Sequence, residues 1–155
     1  MKDYTQPSRS TIVQTIGYEK TDLSAYIARL KVAGVSILVD VRERPISRKK
    51  GFSKSALAAA VHEVGIDYLH VHALGDPKTG RDAAKSGEFD LFVEIFSRHM
   101  VTEQATTAMS DLAEMVLGKN ICLTCFERDH TTCHRSIVAA RLAELTGGVV
   151  HHISV

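Results

Sequence analysis

Residues 35–41 read Val-Ser-Ile-Leu-Val-Asp-Val, an almost continuous apolar run broken by one serine and one acid. A strand that is apolar at nearly every position, rather than at alternate ones, is covered on both faces, as strands of a parallel sheet are. The flanking sequence supports that reading. Upstream, residues 11–16 (TIVQTI) are rich in β-branched types and predict a first strand, closed by Gly17. Between the two strands, Thr21 or Asp22 caps a helix running to about Ala33. Leu23, Tyr26, Ile27 and Leu30 lie on one face of that helix, and Gly34 ends it.

Downstream, residues 42–51 (RERPISRKKG) form a basic loop, and Ser53 caps a helix to about Val64 that Gly65 closes. Residues 67–71 (DYLHV) predict a third strand. Residues 74–88 hold Gly75, Pro77, Gly80 and Gly87 and read as a long loop. Residues 89–100 and 102–117 are helical stretches, and residues 120–125 (NICLTC) a fourth buried strand. The last helix runs from Cys133 to Leu145 before Gly147-Gly148, and residues 149–155 (VVHHISV) make a final strand. Strands alternating with helical crossovers predict a single three-layer α/β domain with a mostly parallel, Rossmann-like sheet of about five strands flanked by helices. That domain is expected to span residues 1–155, with residues 1–10 a polar N-terminal extension.

Composition narrows the function classes. A chain of 155 residues suits one domain. A net charge of +1 argues against a general nucleic-acid binder, so any basic patch is local. No apolar run reaches membrane length, and the polar start of the chain lacks the apolar stretch of a secretory signal. The expectation is a cytoplasmic protein with no membrane partner. Three cysteines are an odd number, and a cytoplasmic chain keeps them reduced, so a disulfide scaffold is not expected. The sequence carries no cofactor motif and no mark of an oligomeric state.

In open α/β sheets, ligands bind beyond the carboxyl ends of the strands. That rule gathers Tyr18 after the first strand, Arg42 and Arg44 after the second, His72 after the third, and Cys125 and Glu127 after the fourth. The loop of residues 125–135, Cys-Phe-Glu-Arg-Asp-His-Thr-Thr-Cys-His-Arg, is the richest in chemistry. It leaves a buried strand and enters a helix whose first turn reads Cys133-His134-Arg135, with Thr131 or Thr132 as cap. A helix start attracts anions through its unpaired N–H groups and its dipole. Arg135 adds a planar cationic fork suited to phosphate or carboxylate. His134 can move a proton near neutral pH. Cys133 lies where a thiol pKa is lowered, and Glu127 is a candidate base.

Cys125, Cys133 and His134 also offer three zinc ligands. However, adjacent residues at a helix start diverge by about 100°, so no metal is assigned. A Cys125–Cys133 redox pair is a further option, with Cys122 left in the core. Asp40, inside the second strand, needs a partner such as Arg42. His70 and His72 share a face of the third strand. His151 and His152 point to opposite faces of the last one and read as structural or surface residues.

These residues resemble the domain-of-unknown-function 488 (DUF488) family. The likeness is carried by Thr15-Ile16-Gly17-Tyr18, by Val39-Asp40-Val41-Arg42 with Pro45 and Ser47, by Phe52, and by residues 68–74 followed by Gly75. It is completed by Cys125-x-Glu127 with Cys133-His134-Arg135. Tyr18 departs from the His or other polar residue frequent there, and Gly75 lacks the second glycine often beside it. The resemblance implies a compact α/β fold and a shared polar set of Arg42, Cys125, Glu127, Cys133, His134 and Arg135, but no reaction. A weaker likeness, to rhodanese-like domains, rests on residues 38–42 and on Cys125 with Arg135-Ser136, although the loop here is longer than theirs.

Function therefore stays open among three classes. One is an enzyme, a hydrolase or transferase acting on a phosphate-bearing substrate. Arg42 and Arg135 would hold the anion, Glu127 and His134 would handle protons, and Cys125 or Cys133 would be the nucleophile. The second is a non-catalytic nucleotide or nucleic-acid binder that uses the cations of residues 48–50. The third is a cysteine-based sulfurtransferase or redox protein. Beside these stands a plain structural module whose polar loop only fixes a helix start.

Overall fold

The computed structural model describes residues 10–155, so the expected polar extension falls, except for Ser10, outside the described residues. Five strands form one sheet: β1 (Ile12–Gly17), β2 (Ile37–Asp40), β3 (Asp67–His70), β4 (Asn120–Cys125) and β5 (Val149–His152). Their order is β3-β2-β4-β1-β5, and every pairing is parallel. Among the described residues, six α-helices cover the two faces: α1 (Leu23–Val32), α2 (Lys54–Glu63), α3 (Lys78–Lys85), α4 (Phe89–Met100), α5 (Glu103–Val116) and α6 (His134–Thr146). The expected α/β architecture with its parallel, helix-flanked sheet is therefore present.

The alternating apolar side chains of each strand divide into two cores. Ile16, Leu38 and Cys122 pack against Tyr26 and Leu30 of α1 and Leu57 and Val61 of α2. Val13, Val39, Ile121 and Leu123 pack on the other face against α4, α5 and α6. Covering on both faces is why residues 35–41 are apolar at nearly every position. No helix among the described residues is long and apolar enough to cross a membrane.

Two local expectations need correction. The stretch of residues 74–88 is not a loop: a 3-10 turn (His72–Leu74) leads into α3. Its Gly and Pro residues hide the helix, because Pro77 stands just before the first turn and Gly80 is a packing residue. A Cβ at Gly80 would collide with the Asp76 carboxyl. The final strand also stops at His152, short of residue 155.

The register sets the site. Gly17 pairs with Cys125, and Asp40 lies level with Thr124 and with His70. The chain turns to opposite sides of the sheet around β4 and β1, and their carboxyl ends open the crevice that such a reversal leaves.

Candidate functional site

A cleft of about 670 Å³ lies at this edge of the sheet. Its floor includes Cys125, Glu127 and His134, from the end of β4 and the start of α6. Its walls come from the β2–α2 loop, with Arg44 and Arg48, and from the region of α3, with Asp76, Arg81 and Lys85. A cleft of similar size between α4, α5 and α6 is mainly apolar, and its charged pair Arg141–Glu144 is already neutralised, so the chemistry concentrates in the first.

Arg42 and Arg135, both expected to hold an anion, carry internal duties. The Arg42 guanidinium spans both oxygens of the fully buried Asp40, Nε to Oδ1 at 2.8 Å and Nη2 to Oδ2 at 2.6 Å. Its Nη1 donates to the Phe52 carbonyl at 2.7 Å and to the Tyr18 hydroxyl at 3.2 Å. Burial works against this cation, but Asp40 outweighs burial and raises its pKa. Asp40 thus finds the partner its burial demands. Tyr18 is itself only 3% exposed, stacked on Phe52 at 4.6 Å.

Arg135 is 1% exposed. Its Nη1 donates to the Glu127 carbonyl and, at 3.2 Å, to the Cys125 sulfur; its Nη2 donates to the Arg128 carbonyl at 3.4 Å. The side chain ties the loop of residues 125–135 down from inside, while its Nε has no partner among the described residues. Gly17 completes the packing: a Cβ there would overlap the Glu127 carbonyl, so only glycine lets β1 run beneath this loop.

The helix start also differs from expectation. Neither Thr131 nor Thr132 caps α6. Cys133 is the cap, in extended conformation (φ −122°, ψ 141°), with its sulfur accepting from the Arg135 backbone N–H at 3.5 Å. Asp129 instead holds a 3-10 turn (His130–Thr132) through the Thr131 N–H at 2.9 Å. This overturns the geometric objection to Cys133 and His134 acting together. Cys133 is outside the helix, so the 100° step does not separate the two side chains. The ligand atoms of Cys125, Cys133 and His134 lie within 4.8 Å of one another. The Cys125 and Cys133 sulfurs lie within bonding distance of each other, which brings together the two residues of the expected redox pair, and Cys122 is buried apart from them in the core. The loop brings Cys133 back over the end of β4, where Cys125 ends the strand.

His134 is buried, with Nε2 against the Val41 carbonyl at 2.6 Å and Nδ1 turned to the Cys133 sulfur at 3.7 Å. Burial pushes its pKa down to about 4, so the ring is neutral at pH 7 and its one proton, on Nε2, is donated to the Val41 carbonyl. The carboxyls fill that role better. Burial, helped by the charge of Glu127, pushes Asp76 up to about 7, and burial also raises Glu127. Asp76 is 5% exposed and its Oδ1 has no hydrogen-bond partner among the described residues.

Of the remaining expected ligand-binding residues, Arg44 lines the cleft, exposed. His72 does not: it is exposed, and its Nδ1 faces the Glu43 carbonyl at 2.9 Å. His70 likewise spends Nε2 on the Arg42 carbonyl at 2.7 Å. His151 and His152 pair with Gln14 and Thr15 of β1. Asp76, Arg81 and Lys85 escaped the reading of the sequence because they lie in the stretch taken as loop. The available signal was the four-residue spacing of Lys78 with Asp82 and of Arg81 with Lys85, which is helical.

The fold and site define a parallel α/β protein with a Cys-His cluster at the carboxyl edge of its sheet. Residues 22–142, most of the chain, match the family model described as "Domain of unknown function DUF488", and the chain belongs to that family. No curated protein and no solved structure matches it. The likeness to rhodanese-like domains finds no support in these comparisons.

Proposed function

We propose that the cleft binds a phosphate-bearing ligand and that the protein acts on it as a hydrolase or transferase. The observation that carries this reading is the position of Asp76, a buried carboxyl with an unpaired oxygen that lines a cleft rimmed by cations. Buried polar atoms without partners are rare in folded proteins, and a ligand is one way to satisfy them. Arg44, Arg48 and Lys85 line the same cleft and make no ion pair among the described residues. Three free cations favour a multiply charged anion. Asp76, still largely protonated just below neutral pH, is the acid that protonates a leaving oxygen. Arg42 and Arg135 hold the floor in shape and are positioning residues here.

The test is calorimetric titration of the full chain with inorganic pyrophosphate and with nucleoside mono- and triphosphates, followed by assay of phosphate release. A triple variant R44A/R48A/K85A is expected to bind at least ~10-fold more weakly, and D76N to bind but not turn over. Equal binding by the triple variant would reject this reading.

A second reading has one specific observation in its favour, the joined sulfurs of Cys125 and Cys133. Under it the pair is a redox couple, with Arg135 Nη1 at 3.2 Å from Cys125 to stabilise a thiolate on reduction. Counting thiols in unfolded protein prepared without reductant decides: one supports the couple, and three reject it.

A further inference from the structure

We propose that, with the pair reduced, Cys125, Cys133 and His134 bind one zinc ion at the floor of the cleft. This inference does not depend on the cleft taking a phosphate-bearing ligand. Two thiolates and an imidazole are a donor set that zinc accepts, and three protein ligands leave a fourth position for water or substrate.

Four observations carry it. First, the three ligand atoms lie within 4.8 Å of one another, all on buried residues. They come from two rigid elements, the end of β4 and the start of α6, so folding itself assembles them. Second, the histidine is already oriented. Nε2 is 2.6 Å from the Val41 carbonyl, which fixes the proton there and leaves the Nδ1 lone pair facing Cys133 at 3.7 Å. A ring nitrogen tied to a backbone carbonyl is the usual outer support of a metal-binding histidine.

Third, both sulfurs already receive hydrogen bonds. The Arg135 backbone N–H reaches Cys133, and Arg135 Nη1 reaches Cys125 at 3.2 Å. Arg135 is a buried cation with no carboxylate at ion-pair distance among the described residues. In a disulfide its sulfur neighbour is neutral, whereas a metal-bound thiolate supplies the negative charge that a buried guanidinium needs. Fourth, the Cα atoms of the two cysteines stand 7.6 Å apart. That is wider than the roughly 4.4–6.8 Å of most disulfide pairs, and it suits two side chains reaching one ion. Cys125 and His134 line the cleft, so the fourth position opens into it. Glu127 Oε2, at 3.3 Å from the Cys125 sulfur, stands beside that position.

The disulfide and the metal site use the same sulfurs and exclude each other: a dithiol reductant supplies the two electrons and two protons that open the S–S bond, becoming a disulfide itself, and the two thiols then release their protons as they bind zinc. The probe is cobalt(II), titrated into the reduced, chelator-treated full chain. The expected result is a sulfur-to-cobalt charge-transfer band that saturates at one equivalent and is abolished by zinc. C133S should weaken binding by more than the roughly 10–100-fold that the loss of an outer-shell partner costs, because it removes a ligand itself. Because C133S could fail to fold, the wild-type chain supplies a second readout: zinc should protect the Cys125 and Cys133 thiols from alkylation, and a chelator should restore their reactivity. Absence of the band from the reduced chain, or cobalt uptake that leaves both thiols unprotected, overturns the proposal. Phosphate binding is measured separately, so its failure would leave this result standing.

Discussion

Asp40 and Arg42, two residues apart at the end of β2, form a buried ion pair in which one guanidinium spans both carboxylate oxygens. The Arg42 backbone N–H also donates to this carboxylate, at 3.2 Å, and Tyr68 donates to it at 2.5 Å, bringing β3 into the network. Breaking such a pair from one side leaves a charge stranded in the core. D40A is therefore expected to cost about 3–5 kcal/mol of stability. The double variant D40A/R42A should cost less than the sum of the two single variants. Urea unfolding of the four proteins checks this, and strict additivity would mean that the two charges do not depend on each other.

Asp76 makes stability depend on pH in a stated direction. Its pKa in the fold, about 7, lies above the ordinary carboxylate value of 3.8 because burial, then the charges of Glu127 and Glu43, oppose ionisation, with Arg81 acting the other way. The native state therefore holds this proton more tightly than the unfolded chain does. The burden is absent below about pH 4, grows as pH rises through the window up to about 7, and is complete above it. D76N removes the ionisation. The stability of D76N minus that of wild type should rise across that window by on the order of 1–2 kcal/mol, allowing for solvent screening in the cleft. Urea midpoints from pH 4 to 8 measure it, and a difference independent of pH would contradict the assignment.

The loop of residues 125–135 depends on two contacts from beneath. Arg135 holds the Glu127 and Arg128 carbonyls, and Gly17 clears the space that the Glu127 carbonyl occupies. G17A is expected to lose about 1–3 kcal/mol through overpacking. R135K should keep the charge but lose the planar fork that reaches two carbonyls and a sulfur. Native-state hydrogen exchange then separates local from global effects. In R135K, the amides of Tyr18 and Glu19, which donate to the Cys125 and Phe126 carbonyls, should exchange faster than those in the middle of β1.

The sequence carried the fold in its strands. Residues 120–125 were read to the residue, because an apolar run between a glycine-containing turn and a polar loop admits little else. It also carried the gathering of the strand ends, and with them the Cys-His cluster, because parallel topology places every strand end on one edge. It hid what requires three dimensions. Arg42 looked like an anion ligand, yet its charge is spent on Asp40, two residues behind it in the same strand. Cys133 looked helical and proved to be a cap, which changed the direction of its sulfur. The α3 wall, with Asp76 and Lys85, was concealed in part by Gly75 and Gly80, whose role is close packing rather than turning.

The proposed small multiply charged ligand and a long nucleic-acid strand make different demands on the cations of the rim. Arg44, Arg48 and Lys85 line the cleft, whereas Lys50 lies outside its lining and exposed, and Lys49 donates to the Tyr18 carbonyl at 3.4 Å. A strand that follows the whole basic segment would contact Lys50 as well as Arg48, and each neutralised phosphate adds roughly 0.7 to the slope of log affinity against log salt for a single strand. A compact ligand held in the cleft draws on Arg44, Arg48 and Lys85 alone. K50A is therefore expected to leave pyrophosphate affinity within about twofold of wild type, whereas R48A weakens it several-fold, since 1.4 kcal/mol separates each factor of ten. Parallel titrations with pyrophosphate and with an oligonucleotide of about ten residues, each at two salt concentrations, decide between them. Tighter and more salt-dependent binding of the oligonucleotide, lost equally in K50A and R48A, would move the ligand from the cleft to the outer face of the β2–α2 loop.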